Sequence, residues 1–167
     1  MDRLGLIVLR AEALADCQII TDAARLAGER LGYDSPAGVE SCAFQLARLY
    51  NAAEQLGMRI ARAFENNIDD ERGWHMELLR RLSLTIPGIR PALLDTTLLA
   101  DLNQLRGFRH VVRHAYDLQL QKAKLLPLLE AARRVALRLP EVCNRFVESV
   151  ADDNGWDLKS SSAEAAD

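Results

Sequence analysis

The spacing of apolar residues predicts a chain built from helices. Apolar side chains recur at intervals of three and four positions, which is the period of an amphipathic α-helix that buries one face. Because sheets favour β-branched and aromatic residues, the low aromatic content of 5% supports the same interpretation. We therefore predict an all-α protein. The clearest apolar stripe consists of Val39, Cys42, Leu46, Leu49, Ala53, Leu56, Ile60 and Phe64.

Capping and turn residues divide this pattern into about five helices. Ser35 followed by Pro36 is typical of an N-cap with proline at the first helical position, and Asp95 is a second candidate N-cap. Pro140 should kink the last helix. The predicted helices cover about residues 2–31, 36–64, 74–84, 95–116 and 125–150.

The loops between these helices are short, so we expect an antiparallel up-and-down helical bundle. One domain over residues 1–151 accounts for the whole helical pattern. Residues 152–167 are acidic and then rich in serine and alanine, and we expect them to be disordered. The long apolar stripe on the last helix indicates either a homodimer or a well-buried central helix.

Composition favours a cytoplasmic protein that does not enter the membrane. No apolar run approaches the roughly 20 residues that span a bilayer. Arg10 and Glu12 interrupt the only apolar stretch near the N-terminus, so a signal peptide is not expected. The three cysteines are far apart and form no CxxC spacing, which is typical of buried thiols in a reducing compartment.

The charge is unevenly placed along the chain. The net charge is −3, yet residues 101–140 hold eight Lys or Arg against three acids, which gives +5 and leaves −8 for the remainder. A locally basic segment in an acidic protein can attract a phosphate backbone. A solvated helix face is the alternative interpretation.

The fourth predicted helix holds an unusual cluster of cations. Arg109 and His114 are five positions apart, about 140° around a helix, so they do not share one face. Either the long arginine side chain swings round, or the site is shared across a dimer. The full cluster, within eleven residues, is Arg106, Arg109, His110, Arg113, His114 and Tyr116.

This cluster resembles the RNxxxHxY signature of HepT-type toxins in the HEPN superfamily. Arg109, His114 and Tyr116 stand at the signature positions, and His110 stands where the closest pattern has Asn. The resemblance covers residues 39–120, and it extends through three further blocks. They are Tyr50-Asn51-Ala52-Ala53-Glu54, Trp74-His75 and Pro87-Gly88-Ile89-Arg90-Pro91.

The resemblance implies a HEPN-like bundle that acts as a metal-independent endoribonuclease toxin without a cofactor. It implies that Arg109 and His114 are catalytic and that His110 and Arg113 support them. It also implies that an MntA-type nucleotidyltransferase antitoxin silences the enzyme by AMPylating Tyr116. The chemistry agrees, because histidine suits a general base and a guanidinium suits phosphate. Arg106 and Arg113 are the expected RNA-binding residues.

Other interpretations of these residues and of the whole chain remain open. His110 and His114 could hold zinc, although no carboxylate or cysteine lies close in sequence. We expect Glu54 to form an ion pair with an arginine of the basic helix, and His75 to cap a helix or pack in a loop. The chain could also be a non-catalytic partner that presents substrate to a nucleotidyltransferase, or a purely structural helical protein. Intact Arg109 and His114 favour the enzyme.

Overall fold

The computed structural model describes residues 1–33, 35–65, 74–114 and 120–158, and these form five α-helices and no β-strand. The prediction of an all-α bundle is confirmed. The third helix ends two residues earlier than predicted, and the fifth begins three residues earlier. The helices are α1 (Arg3–Leu31), α2 (Pro36–Phe64), α3 (Trp74–Leu82), α4 (Thr96–His114) and α5 (Lys122–Asp153).

Side-chain caps explain where the first, second and fourth helices begin. Ser35 Oγ accepts a hydrogen bond from the Gly38 amide at 3.1 Å, and Pro36 opens α2 as predicted. The Asp95 carboxylate accepts from the amides of Thr97 and Leu98 at 3.0 and 2.9 Å, which confirms the second predicted N-cap. Asp2 caps α1 through the Gly5 amide at 2.8 Å.

The core lies where α1, α2 and α5 pack together, and α4 covers α2 and α5. The short helix α3 packs on α2 and α4. All three cysteines are free and buried, as the sequence predicted. In the described ranges, no helix has both the length and the hydropathy that a membrane crossing requires. Fully buried side chains include Leu6, Ile20, Leu46, Leu56, Leu98 and Leu139.

The C-terminal end of the described chain folds back onto the bundle. α5 stays helical through Pro127 and Pro140, and a turn with Gly155 at φ +67° follows it. Trp156 and Leu158 then pack against the core. Disorder was expected from Asp152 onward. Residues 152–158 are instead ordered, because the side chains of Trp156 and Leu158 pack against the core. Residues 159–167 lie outside the described ranges.

A buried arginine holds the turn between α3 and α4. Arg90 donates a hydrogen bond to Glu65 at 2.7 Å, and it also donates to the carbonyl oxygens of Leu84, Pro91 and Arg81. Its side chain is fully buried, and all three guanidinium nitrogens donate hydrogen bonds. This bond network attaches the turn to the end of α2, so α3 and α4 are positioned relative to α2.

Candidate active site

The C-terminal half of α4 lies largely at the surface of the bundle. The buried residues of this helix are Leu98, Asp101, Leu102 and Leu105, and all of them lie in its first half. Beyond them Phe108 is only half-buried, and Val111 is 47% exposed. A Cβ atom placed on Gly107 would meet no atom within 4 Å. The segment that carries the cation cluster is thus only partly covered by the rest of the chain.

Arg109 is the cation of this cluster that turns inward. Its side chain is 15% exposed, and its terminal nitrogen NH2 lies 3.6 Å from Glu54 Oε2 on α2. The guanidinium carbon lies 5.6 Å from the centroid of the Tyr50 ring. Arg109 Nε is buried and has no hydrogen-bond partner among the described residues. The expected ion pair between Glu54 and an arginine of the basic helix is confirmed.

The contact between Arg109 and Glu54 is an ion pair without a hydrogen bond, because 3.6 Å is too long for one. The other buried carboxylates of the described bundle accept hydrogen bonds from arginine. Asp101 accepts two from Arg134, at 3.0 and 2.7 Å, and Asp16 accepts one from Arg59 at 2.9 Å. Arg109 therefore keeps donor capacity that a phosphate group can use.

Glu54 makes its hydrogen bond with a histidine instead. Its Oε1 atom is hydrogen-bonded to His75 Nδ1 at the start of α3. Because a carboxylate only accepts, Nδ1 carries the proton. The Glu54 side chain is 5% exposed and that of His75 is 31% exposed, and the His75 ring stacks against Trp74 at 3.9 Å between centroids. His75 was expected to cap a helix or pack in a loop, whereas the structure pairs it with α2.

Tyr50 lies one helical turn before Glu54 and beneath the Arg109 guanidinium. Its side chain is buried, and its hydroxyl has no hydrogen-bond partner of good geometry among the described residues. Burial, followed by the nearby Glu54 carboxylate, raises the pKa of Tyr50 well above its ordinary value, and Arg106 and Arg109 oppose this rise. The phenol is therefore neutral at physiological pH and remains a hydrogen-bond donor.

His110 and His114 lie on the exposed side of α4. Their rings are 4.4 Å apart between centroids, and His114 Nδ1 lies 2.9 Å from the His110 carbonyl oxygen. A carbonyl oxygen only accepts, so Nδ1 donates, and in the neutral imidazole Nε2 is the nitrogen with the lone pair. Within the described ranges no group of three or more His, Cys, Asp or Glu is arranged to hold a metal ion.

The structure separates the two residues that the sequence predicted to be catalytic. Arg109 faces α2, His114 faces solvent, and no contact joins their side chains in the described part of the chain. Arg106 is half-buried and donates to Asn103 Oδ1 at 3.2 Å, and Arg113 is exposed. Tyr116 lies outside the described residues.

Sequence reasoning missed that Arg109 contacts both Tyr50 and Glu54, and that Glu54 also binds His75. The available signal was Glu54 itself, an acid on an apolar helix, which predicted a pairing with the basic helix but not the second contact. His75 is 21 positions from Glu54, and no helical spacing links residues on different helices.

Comparison with known proteins gives one match. The model of a family described as HepT-like protein matches residues 41–150, a range that contains Glu54, His75, Arg109 and His114. Neither the curated proteins nor the solved structures include a match to the chain.

Proposed function

The chain belongs to the HepT-like proteins, a HEPN family, and on this premise we propose that it is the toxin of a toxin–antitoxin pair, a cytoplasmic endoribonuclease that needs no metal. One observation carries the proposal. Arg109, whose guanidinium has unused donors, shares a helix with His114, whose Nε2 has no hydrogen-bond partner among the described residues. A phosphate-binding cation and a general base are two of the groups that can catalyse RNA cleavage without a metal.

The proposed reaction follows from these two groups. His114 Nε2 accepts the proton of the ribose 2′-hydroxyl, and the 2′-oxygen attacks phosphorus. The Arg109 guanidinium donates hydrogen bonds to the non-bridging oxygens as their charge increases. The bond from phosphorus to the 5′-oxygen then breaks. The products are a 2′,3′-cyclic phosphate and a 5′-hydroxyl, and water can open the ring to a 3′-phosphate.

Cations around the end of α4 support RNA as the substrate. Arg113, Lys122 and Lys124 are exposed, and Arg106 is half-buried one turn before His110. Such charges bind the phosphate backbone through counterion release, so RNA binding should weaken as salt increases.

We further propose that the active enzyme is a homodimer that brings two α4 helices together. Arg109 and His114 face different ways in one chain, so a second copy is needed to place them around one phosphate. The exposed Val111 and the open space at Gly107 leave room for a helix of the partner to approach. A two-fold interface would create two equivalent composite sites.

The first experiment replaces each group in turn and measures cleavage of an end-labelled RNA. Arg109→Ala and His114→Ala should each abolish cleavage while the protein stays folded. Arg145→Ala is the matched control, because Arg145 is 65% exposed and pairs only weakly with Glu141 at 3.8 Å. Wild-type activity should survive EDTA, and activity that zinc restores after chelation would contradict the proposal.

A mixing experiment tests whether the site is shared. If each site takes Arg109 from one subunit and His114 from the other, a heterodimer of Arg109→Ala and His114→Ala has one intact site. After unfolding and refolding of an equal mixture, half the dimers are heterodimers, so activity should return to about one quarter of wild type. Sedimentation showing only monomers at micromolar concentration, or a mixture that stays inactive, would contradict the shared site.

We propose Tyr116 as the residue that an MntA-type nucleotidyltransferase antitoxin modifies with AMP. Tyr116 follows His114 by two positions, so a nucleotide attached to it would lie close to the proposed base in the chain. Its phosphate would compete with RNA for the same cations, by the rules that govern phosphorylation.

A further inference from the structure

Cleavage of RNA requires two proton transfers, and the proposed reaction assigns a residue to only one of them. We propose that His75 is a second catalytic histidine, which protonates the departing 5′-oxygen, and that Glu54 is the positioning residue that orients it. This inference rests on the proposed ribonuclease function. It assigns a chemical role to the hydrogen-bonded pair that joins α2 to α3.

The geometry of the pair leaves one nitrogen of His75 available for chemistry. His75 Nδ1 donates its hydrogen bond to Glu54. A carboxylate that accepts from one ring nitrogen fixes the direction in which the other nitrogen points. Trp74 holds the ring from one face. Nε2 makes no hydrogen bond within the part of the chain that is described, and about a third of the side chain is exposed. A histidine that serves only to fill a core is normally buried with its polar atoms paired.

The same carboxylate places His75 beside the phosphate-binding cation. One oxygen of Glu54 contacts His75 and the other faces Arg109. Because one carboxylate contacts both side chains, the proposal places a phosphate bound by Arg109 within reach of His75 Nε2. Phosphoryl transfer places the attacking and leaving oxygens on opposite sides of phosphorus. Acid and base must approach from opposite sides too. In the proposed composite site His75 lies on the α2 side of Arg109, and the partner's His114 would approach from the exposed side of α4, at Gly107 and Val111.

Together the two histidines account for both proton transfers of the reaction. The proton of the 2′-hydroxyl moves to His114 Nε2, and the bond between the 2′-oxygen and phosphorus forms. The bond between phosphorus and the 5′-oxygen breaks, and its electron pair takes the proton from His75 Nε2. His114 ends protonated and His75 ends neutral, and exchange with water restores both. No metal or redox partner enters the balance.

The test uses an oligonucleotide with one ribonucleotide, made with either oxygen or sulfur at the bridging 5′ position after it. A thiolate leaves without a proton, so the sulfur substrate needs no general acid. His75→Asn keeps an amide donor near the Nδ1 position for Glu54 but cannot transfer a proton. We expect it to lose roughly 10²–10⁴-fold in rate on the oxygen substrate and to cleave the sulfur substrate close to the wild-type rate. His114→Asn should lose activity on both.

Two further measurements keep the outcome decisive. His75→Gln places its amide nitrogen near the Nε2 position, and it serves as the second variant if His75→Asn folds poorly. It should show the same difference between the oxygen and sulfur substrates. Equal loss on both substrates would mean that His75 acts only through structure, and it would overturn the proposal. Sulfur rescue of His114→Asn instead of His75→Asn would overturn it as well. A wild-type protein that cleaves neither substrate would refute the ribonuclease function itself, and this assignment with it.

Discussion

Replacement of Glu54 by glutamine tests the buried charge cluster at the centre of the site. Glu54 is 5% exposed and lies between Arg109 and His75. Glutamine has nearly the same shape, and its carbonyl oxygen can still accept the hydrogen bond from His75. It carries no charge, so the largely buried Arg109 guanidinium loses its only ion-pair partner within the described residues. The expected result is a lower free energy of unfolding.

The size of the effect follows from distance and burial. Two unit charges 3.6 Å apart attract by about 5 kcal/mol at an effective dielectric constant of about 20. Desolvation of both groups offsets part of that attraction, but removing one partner of a buried pair typically costs about 3–5 kcal/mol. Because Arg109 and Glu54 share no hydrogen bond, we expect the low end of that range, about 3 kcal/mol.

Urea unfolding monitored by circular dichroism gives the measurement. Glu130→Gln is the matched control, since Glu130 pairs with Arg133 at the shorter distance of 2.7 Å but is 55% exposed. If distance alone set the effect, Glu130→Gln would lower the free energy of unfolding more. If burial sets it, Glu54→Gln lowers the free energy of unfolding more. Equal losses, or a stable Glu54→Gln protein, would refute the argument from burial. Adding Arg109→Met to Glu54→Gln should recover part of the loss, because no buried charge then lacks a partner.

Two more predictions concern α4 and the segment after it. Tyr116→Phe should still cleave RNA but gain no AMP mass after incubation with the antitoxin and ATP; a variant that the antitoxin still neutralises would indicate silencing by simple binding. Gly107→Ala should raise the unfolding free energy of the dilute monomer by about 1 kcal/mol, because the added Cβ meets nothing and alanine favours a helix. The same change should weaken the proposed dimer in sedimentation experiments, and an unaffected dimer would place its interface elsewhere.

Features set by neighbouring residues could be predicted from the sequence. The N-caps at Ser35 and Asp95 are local, because a side chain bonds to an amide two or three positions ahead. Helical periodicity also predicted that Arg109 and His114 cannot share a face. Periodicity did not decide whether the Arg109 side chain swings round toward His114 or the site is shared across a dimer. The ion pair with Glu54 shows that Arg109 turns toward α2.

Features that depend on packing between distant segments could not be predicted. His75 looked like a loop residue because its partner lies on another helix. Arg90 lies between two prolines in a turn, and nothing in this local sequence indicates that it is fully buried against Glu65. The acidic composition after Asp152 is typical of disorder, but Trp156 and Leu158 bury enough apolar surface to hold residues 152–158 on the bundle.

The two ends of the described chain are in contact. The helices could therefore follow one another in a different order without any change in how they pack. Arg3 donates hydrogen bonds to the carbonyl oxygen of Asp157 at 3.1 and 2.7 Å, so the start of α1 lies beside the end of α5. A short linker could join these ends, and the chain could be cut in the turn between α1 and α2 to give new termini there. In such a circular permutant α1 follows α5 and every helix keeps its neighbours. The family match covers residues 41–150, from within α2 to within α5, so in the permutant it would precede α1 instead of following it.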